Sequence, residues 1–302
     1  MSRWVAKEKR GYAQGITHAA ARIGNAAAPA LVVMIMATYG WREAFYVCAV
    51  ISFIWVGLWA WAFTELPQDH PRITPEELAE LPQTQKKKQK VAWGALFRRM
   101  APVTVVYFCY GWTLWLFLSW IPQYFLQRHG LDLKDTALFA SGVFFAGVVG
   151  DTLGGIISDK ILERTGDLKR ARSWMVSVCM LLTLVTLIPL MFTESLMVSL
   201  LCLSLGFFFA ELTIGPMWAI PMDIAPNHSG TASGMMNTGS ATAAILSPVV
   251  AGYLIDQTGN WELPFLCSIV LLGFGVLLAF RMQPEHRFED RAPDAPPHPA
   301  QI

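Results

Sequence analysis

Long apolar stretches constrain the fold of this chain more than any other feature. A helix that crosses the hydrocarbon core of a bilayer needs about 20 mostly apolar residues. Of the 302 residues, 54% are hydrophobic and only 15% are charged. The stretches contain Gly and Pro and do not alternate, which excludes a β-barrel with its strands of about 10 residues. The sequence predicts an all-α membrane protein with spans at 12–38, 43–63, 102–126, 136–158, 173–193, 196–220, 230–256 and 262–281.

Basic residues are divided unevenly between the two sets of connections. The termini and alternate connections hold most of the Lys and Arg residues, whereas the opposite connections hold only Arg42, Arg128 and Lys134. Positive charge is retained on the cytoplasmic side of a membrane. We therefore expect both termini to be cytoplasmic, as an even number of spans requires.

Two segments repeat one pattern of small residues. Residues 10–29 read "RGYAQGITHAAARIGNAAAP" and residues 229–248 read "SGTASGMMNTGSATAAILSP". Internal repeats of helix sets are typical of secondary transporters, and the paired glycines are typical of close helix packing. The alignment places Gly11 on Gly230, Gly15 on Gly234 and Pro29 on Pro248.

The repeat also predicts the domain organisation. Its second copy follows four spans that come after a polar segment, whereas the first copy follows none. We therefore expect four helices before the first copy in the complete protein, so that eight of twelve are present here. Thr74 and Pro75 predict the start of a short surface helix in the polar segment. The predicted parts are the end of an N-terminal bundle at 1–63, a cytoplasmic loop at 64–101, a six-helix bundle at 102–281 and a disordered proline-rich tail at 282–302.

Three stretches resemble the major facilitator superfamily and, within it, the anion:cation symporters that move sugar acids and other organic anions. They are "EKRGYAQGITHAAARIGNAAAP", "LGGIISDKILERTGDLKRAR" and "MWAIPMDIAPNHSGTASGMMNTGSATAAILSP". The resemblance implies two six-helix bundles that rock about a bound substrate, of which this chain supplies helices five to twelve. It also implies a proton as coupling ion, no other cofactor, a monomer when complete, no nucleic-acid partner and a bacterial inner membrane. The acidic residues that usually take the proton in this branch belong to the first and fourth helices, which this chain lacks.

A polar stripe in the first span is the leading candidate for the substrate site. His18, Arg22 and Asn25 follow one another at helical spacing and share a face. A guanidinium in the bilayer is costly and faces protein or water, and its planar fork can bind a carboxylate in a bidentate manner. The alternative is a structural pairing of Arg22 with an acidic group on a preceding helix.

Other polar and aromatic residues extend this candidate site. Asn237 falls on the position of His18 in the repeat and is implied by the resemblance to bind substrate, whereas interhelical bonding is the preferred interpretation of Ser233, Ser240 and Ser247. The resemblance gives Trp218 a stacking role, with an interfacial position as the alternative. Tyr107 and Tyr110 are weaker candidates, because aromatic side chains commonly serve packing.

Two groups of charged residues have other predicted roles. Glu211 lies within a span and is a candidate proton site, a partner for Arg22, or a protonated structural carboxyl. By resemblance Asp159 pairs with the N-terminus of a neighbouring helix or with a basic residue and switches the conformation. Asp151 and Arg164 are predicted to belong to the same switch.

Other function classes find little support. The five cysteines lie in apolar helices without metal-ligand spacing, and the sequence holds no metal cluster motif and no nucleophile–base motif. We predict no enzyme and no bound metal. A rival hypothesis is an inactive fragment, or half of a split gene that needs a partner with the first four helices.

Overall fold

Ten α-helices make up the part of the chain that the computed structural model describes, residues 3–81 and 91–288. Helical turns of 3₁₀ or π type connect several of them. The helices are α1 (Arg10–Tyr39), α2 (Trp41–Ala62), α3 (Pro75–Glu80), α4 (Trp93–Gln123), α5 (Leu133–Thr165), α6 (Met175–Leu187), α7 (Leu196–Glu211), α8 (Ile214–Ile224), α9 (Ser229–Thr258) and α10 (Glu262–Ala279).

The long helices confirm the predicted all-α membrane fold. Within the described residues, seven helical segments from α2 to α10 are long and apolar enough to cross a membrane. Helix α1, with 30 residues, matches the remaining predicted span. The sixth predicted span is divided between α7 and α8, which are separated by a turn at Leu212 and Thr213. This interruption is not predicted by the hydrophobic pattern, which continues through it.

Helix α4 is the centre of the larger helical group. It packs on α9 and α10, while α6 packs on α7 and α10, and α5 packs on α1 and α7. Fully buried apolar side chains such as Val106, Phe117 and Phe207 fill the space between them. Helix α2 packs on α1 and exposes most of its side chains, many of them large and apolar.

The contact between α4 and α9 depends on small residues. A Cβ on Gly239 would overlap the backbone of Thr104, and one on Gly111 would crowd Ser240. The Ser247 hydroxyl donates to the Trp112 carbonyl at 2.8 Å, and the Trp115 indole donates to Ser240 at 3.3 Å. These two serines therefore form interhelical hydrogen bonds, as the sequence analysis prefers.

The polar segment between α2 and α4 contains the short surface helix that Thr74 predicts. Thr74 accepts a bond from the Glu77 amide at 3.2 Å, and its own amide donates to the Glu77 carboxylate at 3.0 Å. This reciprocal pair is a capping box. The bonds from Thr74 lower the pKa of Glu77 below its usual value. The basic run at 85–90 lies outside the described residues.

The predicted tail at 282–302 is described only as far as residue 288, and its first residues contact the bundle. Its disorder stays a prediction. Arg99 of α4 donates to the carbonyls of Met282 at 2.8 Å and His286 at 3.0 Å, and also to that of Gln283. The fork of the guanidinium thereby satisfies carbonyl groups just after α10. The remainder of that tail, 289–302, lies outside the described residues.

Candidate functional site

The carboxylate of Asp159 meets the first turn of α1. It accepts hydrogen bonds from the backbone amides of Gly11 at 3.0 Å and Tyr12 at 2.5 Å. Amides in the first turn of a helix have no partner within that helix, and the helix dipole favours a negative charge there. Asp159 thus caps α1 from α5, a contact of the kind that the resemblance implies. Its role in conformational switching stays a prediction.

Arg172 connects Asp159 with a second buried carboxylate. Its Nη1 lies 2.9 Å from Asp159 Oδ1, and its Nε lies 3.3 Å from Asp223 Oδ2. Arg10 Nη1 lies 2.8 Å from Asp223 Oδ1. All four side chains are buried, and their two positive and two negative charges balance. We call these four residues the ion-pair network, which joins α1, α5, α8 and the π-helical turn Arg170–Trp174.

Three members of the ion-pair network are not predicted from the sequence. Arg10 and Arg172 stand in basic clusters that are typical of solvated charge. Asp223 lies 213 residues from Arg10, so no local pattern connects them. The available signal is the carboxylate within "AIPMDIAP", because a buried charge in apolar surroundings requires an opposite charge.

Glycines allow α1, α5 and α8 to approach one another at the network. A Cβ on Gly15 would lie 2.5 Å from the Asp151 carbonyl oxygen, and one on Gly155 would overlap the backbone of Gly11. Gly11 and Gly15 therefore pack as predicted. The matching pair differs, because within the described residues nothing lies within 4 Å of a Cβ on Gly230 or Gly234. These two glycines serve no packing contact there, although their spacing is the same.

A row of aromatic side chains lies beside the network, and we call His18, Trp218, Tyr107 and Tyr110 the aromatic row. The rings of His18 and Trp218 are 5.1 Å apart, and those of Tyr107 and Tyr110 are stacked at 5.4 Å. The Trp218 indole donates to the Tyr107 hydroxyl at 2.8 Å. The row thus connects α1 through α8 to α4 and brings together four residues that the sequence analysis selects.

Glu211 lies at the far end of the aromatic row. It is fully buried, and the Tyr110 hydroxyl donates to its Oε1 at 3.3 Å. Glu211 is the last residue of α7, immediately before the interruption that precedes α8. Buried carboxyls within membrane spans mark proton and ion pathways, and interrupted helices are common at transporter sites.

The other residues predicted for the site do not belong to the aromatic row. The backbone at Arg22 and Asn25 belongs to α1, but their side chains lie outside what the structure describes. Asn237 is exposed on α9, and Arg164 is exposed in the last turn of α5. Asp151 is fully buried two turns before Asp159 on α5, with its carbonyl beside Gly15. Their predicted roles stay predictions.

The aromatic row and Glu211 combine apolar rings with hydrogen-bonding groups. The row offers indole, phenol and imidazole groups beside the buried carboxyl of Glu211. Across residues 3–81 and 91–288, no three His, Cys, Asp or Glu side chains come together as a metal site requires.

Taken with the helices described above, this arrangement defines a multi-pass membrane protein. The chain belongs to the Major Facilitator Superfamily, whose family model matches residues 1–248. This confirms the resemblance on which the site prediction depends. The family is one of transporters, so the prediction that the chain is no enzyme is confirmed.

Individual relatives carry the names of organic-anion transporters. The chain is 46% identical over 286 residues to the "Probable sulfoacetate transporter SauU" of Cupriavidus necator, which covers 93% of this chain and 66% of that protein. It is 28% identical to the "Hexuronate transporter" of Bacillus subtilis, covering 93% of this chain and 67% of the relative. It is 26% identical to the "Probable galactarate/D-glucarate transporter GudP" of the same species, covering 91% of this chain and 63% of the relative. The chain thus spans about two thirds of the length of these relatives.

Proposed function

We propose that the complete protein carries a small organic anion across the membrane by alternating access, coupled to a proton. The observation that carries the proposal is the aromatic row, which joins α1 to α4 and α8 one helical turn from the position of Arg22. An arginine supplies the planar cation that a carboxylate or sulfonate requires. The aromatic rings supply apolar walls that align the rest of the anion.

A small sulfonate such as sulfoacetate is the first candidate substrate. The relative that carries this name is 46% identical to the chain over 286 residues. Sulfoacetate is a two-carbon dianion with one carboxylate and one sulfonate, so one guanidinium together with an imidazole N–H donor suits it. Arg22 would receive one acidic group, and His18 would face the other.

A sugar acid is the second candidate, and it is the substrate class that the sequence analysis expects. The hexuronate and glucarate relatives favour it, at 28% and 26% identity. A sugar acid adds hydroxyls to the carboxylate, and these would engage Asn25 of α1 and Asn237 of α9 as well as Tyr107 and Tyr110.

We further propose that Glu211 takes part in proton coupling. It is buried at a helix interruption and contacts the aromatic row through Tyr110. A change in the row on substrate binding would alter the bond to this carboxyl and thereby its affinity for a proton. The proposal includes cytoplasmic termini, which rest on the distribution of basic residues, and a bacterial inner membrane, which rests on the resemblance.

The experiment is uptake of labelled sulfoacetate into cells that express the complete reading frame. We expect uptake that an excess of unlabelled sulfoacetate abolishes and that a proton uncoupler reduces. Glucuronate and glucarate serve as competitors. Strong competition by glucarate with no sulfoacetate uptake would favour the second candidate, and no uptake of any of these anions would contradict the proposal.

A further inference from the structure

An apolar groove lies on the outer surface of the molecule between α5 and α6. Its volume is about 580 Å³, within the range of about 300–1,000 Å³ that is usual for ligand sites. Its apolar lining includes Ile157 and Ile161 of α5, Trp174 and Val178 from the α6 side, and Leu212. Arg170 is the charged residue of the lining.

The groove faces the medium around the protein rather than the helical core. Ile157 is 41% exposed, Val178 is 49% exposed and Trp174 is 51% exposed. Since these residues belong to membrane-spanning segments, the surrounding medium at this depth is lipid. Trp174 lies beside the end of the span, where tryptophan is common at the membrane interface.

The mouth of the groove is basic. The exposed Arg170 side chain contacts Asp167 through Nε at 3.2 Å, and a guanidinium has further N–H donors beyond that one contact. Two further basic residues, Lys169 and Arg164, lie nearby in sequence. Together with Arg170 they outnumber the acidic residues of this connection, Glu163 and Asp167, so it carries a net positive charge. A basic group above an apolar groove is complementary to an anionic head group above an acyl chain.

A π-helical turn forms this part of the groove. The turn comprises Arg170–Trp174, and both of its end residues line the groove. π-turns are uncommon and occur often at functional sites. The wide turn therefore places the cation and the indole on the same apolar surface.

We propose that the groove is a binding site for one anionic phospholipid. One acyl chain lies between α5 and α6, and Arg170 donates to the phosphate. This site is separate from the proposed transport site, and its occupation does not depend on transport.

Its position also gives the lipid a route to the ion-pair network. Asp159 lies between Ile157 and Ile161 on α5, and Arg172 lies between Arg170 and Trp174. Residues two positions apart on a helix point to roughly opposite sides. A lipid in the groove therefore braces, from the outside, the two segments that hold the Asp159–Arg172 pair, and it favours the arrangement described here.

Native mass spectrometry of the purified chain in detergent tests the site. The chain is titrated with phosphatidylglycerol, with phosphatidylcholine of the same acyl chains, or with inorganic phosphate. We expect one tightly retained phosphatidylglycerol and weaker retention of phosphatidylcholine. Inorganic phosphate should not displace the bound lipid, because the phosphate alone makes no use of the groove.

Two matched pairs of variants locate the lipid. Arg170→Gln should weaken phosphatidylglycerol binding about fivefold, the factor for about 1 kcal/mol per basic residue near an anionic surface, whereas Arg98→Gln should not. Val178→Trp fills the groove and should remove the retained lipid. Val185→Trp, on the same helix with the same 49% exposure but outside the lining, should keep it. Equal retention by Val178→Trp and Val185→Trp, or displacement by inorganic phosphate, would overturn the proposal.

Discussion

Helices α1 and α9 carry the two copies of one sequence repeat, yet they make different contacts. Both are 30 residues long. Helix α1 packs on α5 and α8 from its first turn, where Asp159 caps its amides. Helix α9 packs on α4, and its close contacts fall later, at Gly239, Ser240 and Ser247.

Within the described residues, the shared pattern of small residues therefore lies against different helices in the two copies. Charged groups distinguish the contacts of α1, because the carboxylate of Asp159 and the cations of Arg10 and Arg172 meet at its start. The polar residues at matching positions also differ between the two copies. His18 contacts Trp218, whereas Asn237 at the matching position is exposed, and Ala241 occupies the position that matches Arg22.

The largest effect on stability is expected from removing a buried cation of the ion-pair network at the start of α1. Arg172→Leu leaves Asp159 and Asp223 buried without their shared cation. Removal of one partner from a buried ion pair costs about 3–5 kcal/mol. We expect the free energy of unfolding in detergent to fall by about this amount, as measured by a denaturant series followed by circular dichroism.

The control for Arg172→Leu is Arg98→Leu, which removes an exposed arginine beside a terminal turn of α4. Its effect should stay within about 0.5 kcal/mol, as is usual for surface substitutions. Similar losses in the two variants would show that the ion-pair network does not hold α1.

An intermediate effect, with opposite signs in the two copies, is expected at the matching glycines. Gly15→Ala places a methyl group 2.5 Å from the Asp151 carbonyl and should destabilise the chain by about 1–3 kcal/mol. Gly234→Ala enters open space and should stabilise α9 by up to about 1 kcal/mol, since alanine favours a helix more than glycine does. Melting temperatures of the purified variants would reveal the signs, and a shift in the same direction for both would contradict the comparison.

A smaller effect is expected in the aromatic row. Tyr107→Phe keeps the ring but removes the hydroxyl that accepts the Trp218 indole bond, which should cost about 1 kcal/mol. In the complete protein the KM for the anion should rise while the maximal rate changes less, because the proposed function has the row position the substrate. Tyr253→Phe, an exposed tyrosine of α9, is the control. An unchanged KM for Tyr107→Phe would remove the row from the binding site.

Local features of this fold are predictable from sequence, whereas contacts between distant segments are not. The apolar stretches predict the long helices, and Thr74 with Glu77 predicts the capped surface helix, because these signals lie within a few residues. The hydrophobic pattern does not reveal the interruption after Glu211, since "GFFFAELTIGPMW" is apolar on both sides of it. The local signal that is present is Gly215–Pro216, because proline is tolerated in the first turn of a helix and disfavoured in its interior. The contact of residues 282–288 with the bundle involves Arg99, which is more than 180 residues away.

The candidate site follows the same division. His18, Trp218, Tyr107, Tyr110 and Glu211 are predictable as polar or aromatic residues within spans, and the structure brings them into one row. Asp223 is not predictable as a partner of Arg10 and Arg172, because the pairing depends on how α1, α8 and the π-turn meet. Sequence alone identifies costly residues, and the packing of the helices decides which of them neutralise one another.

The most direct test of the central claim, that the α1 copy carries the anion site, is sulfoacetate uptake by Arg22→Gln in the complete protein. Arg42→Gln is the matched control, because Arg42 lies in the first turn of α2, at the very start of its span, and its guanidinium lies over the exposed Trp41 ring at 4.5 Å. Equal amounts of each variant in the membrane should be verified by immunoblot. We predict that Arg22→Gln abolishes uptake and that Arg42→Gln retains it. Equal uptake by the two variants would contradict the account.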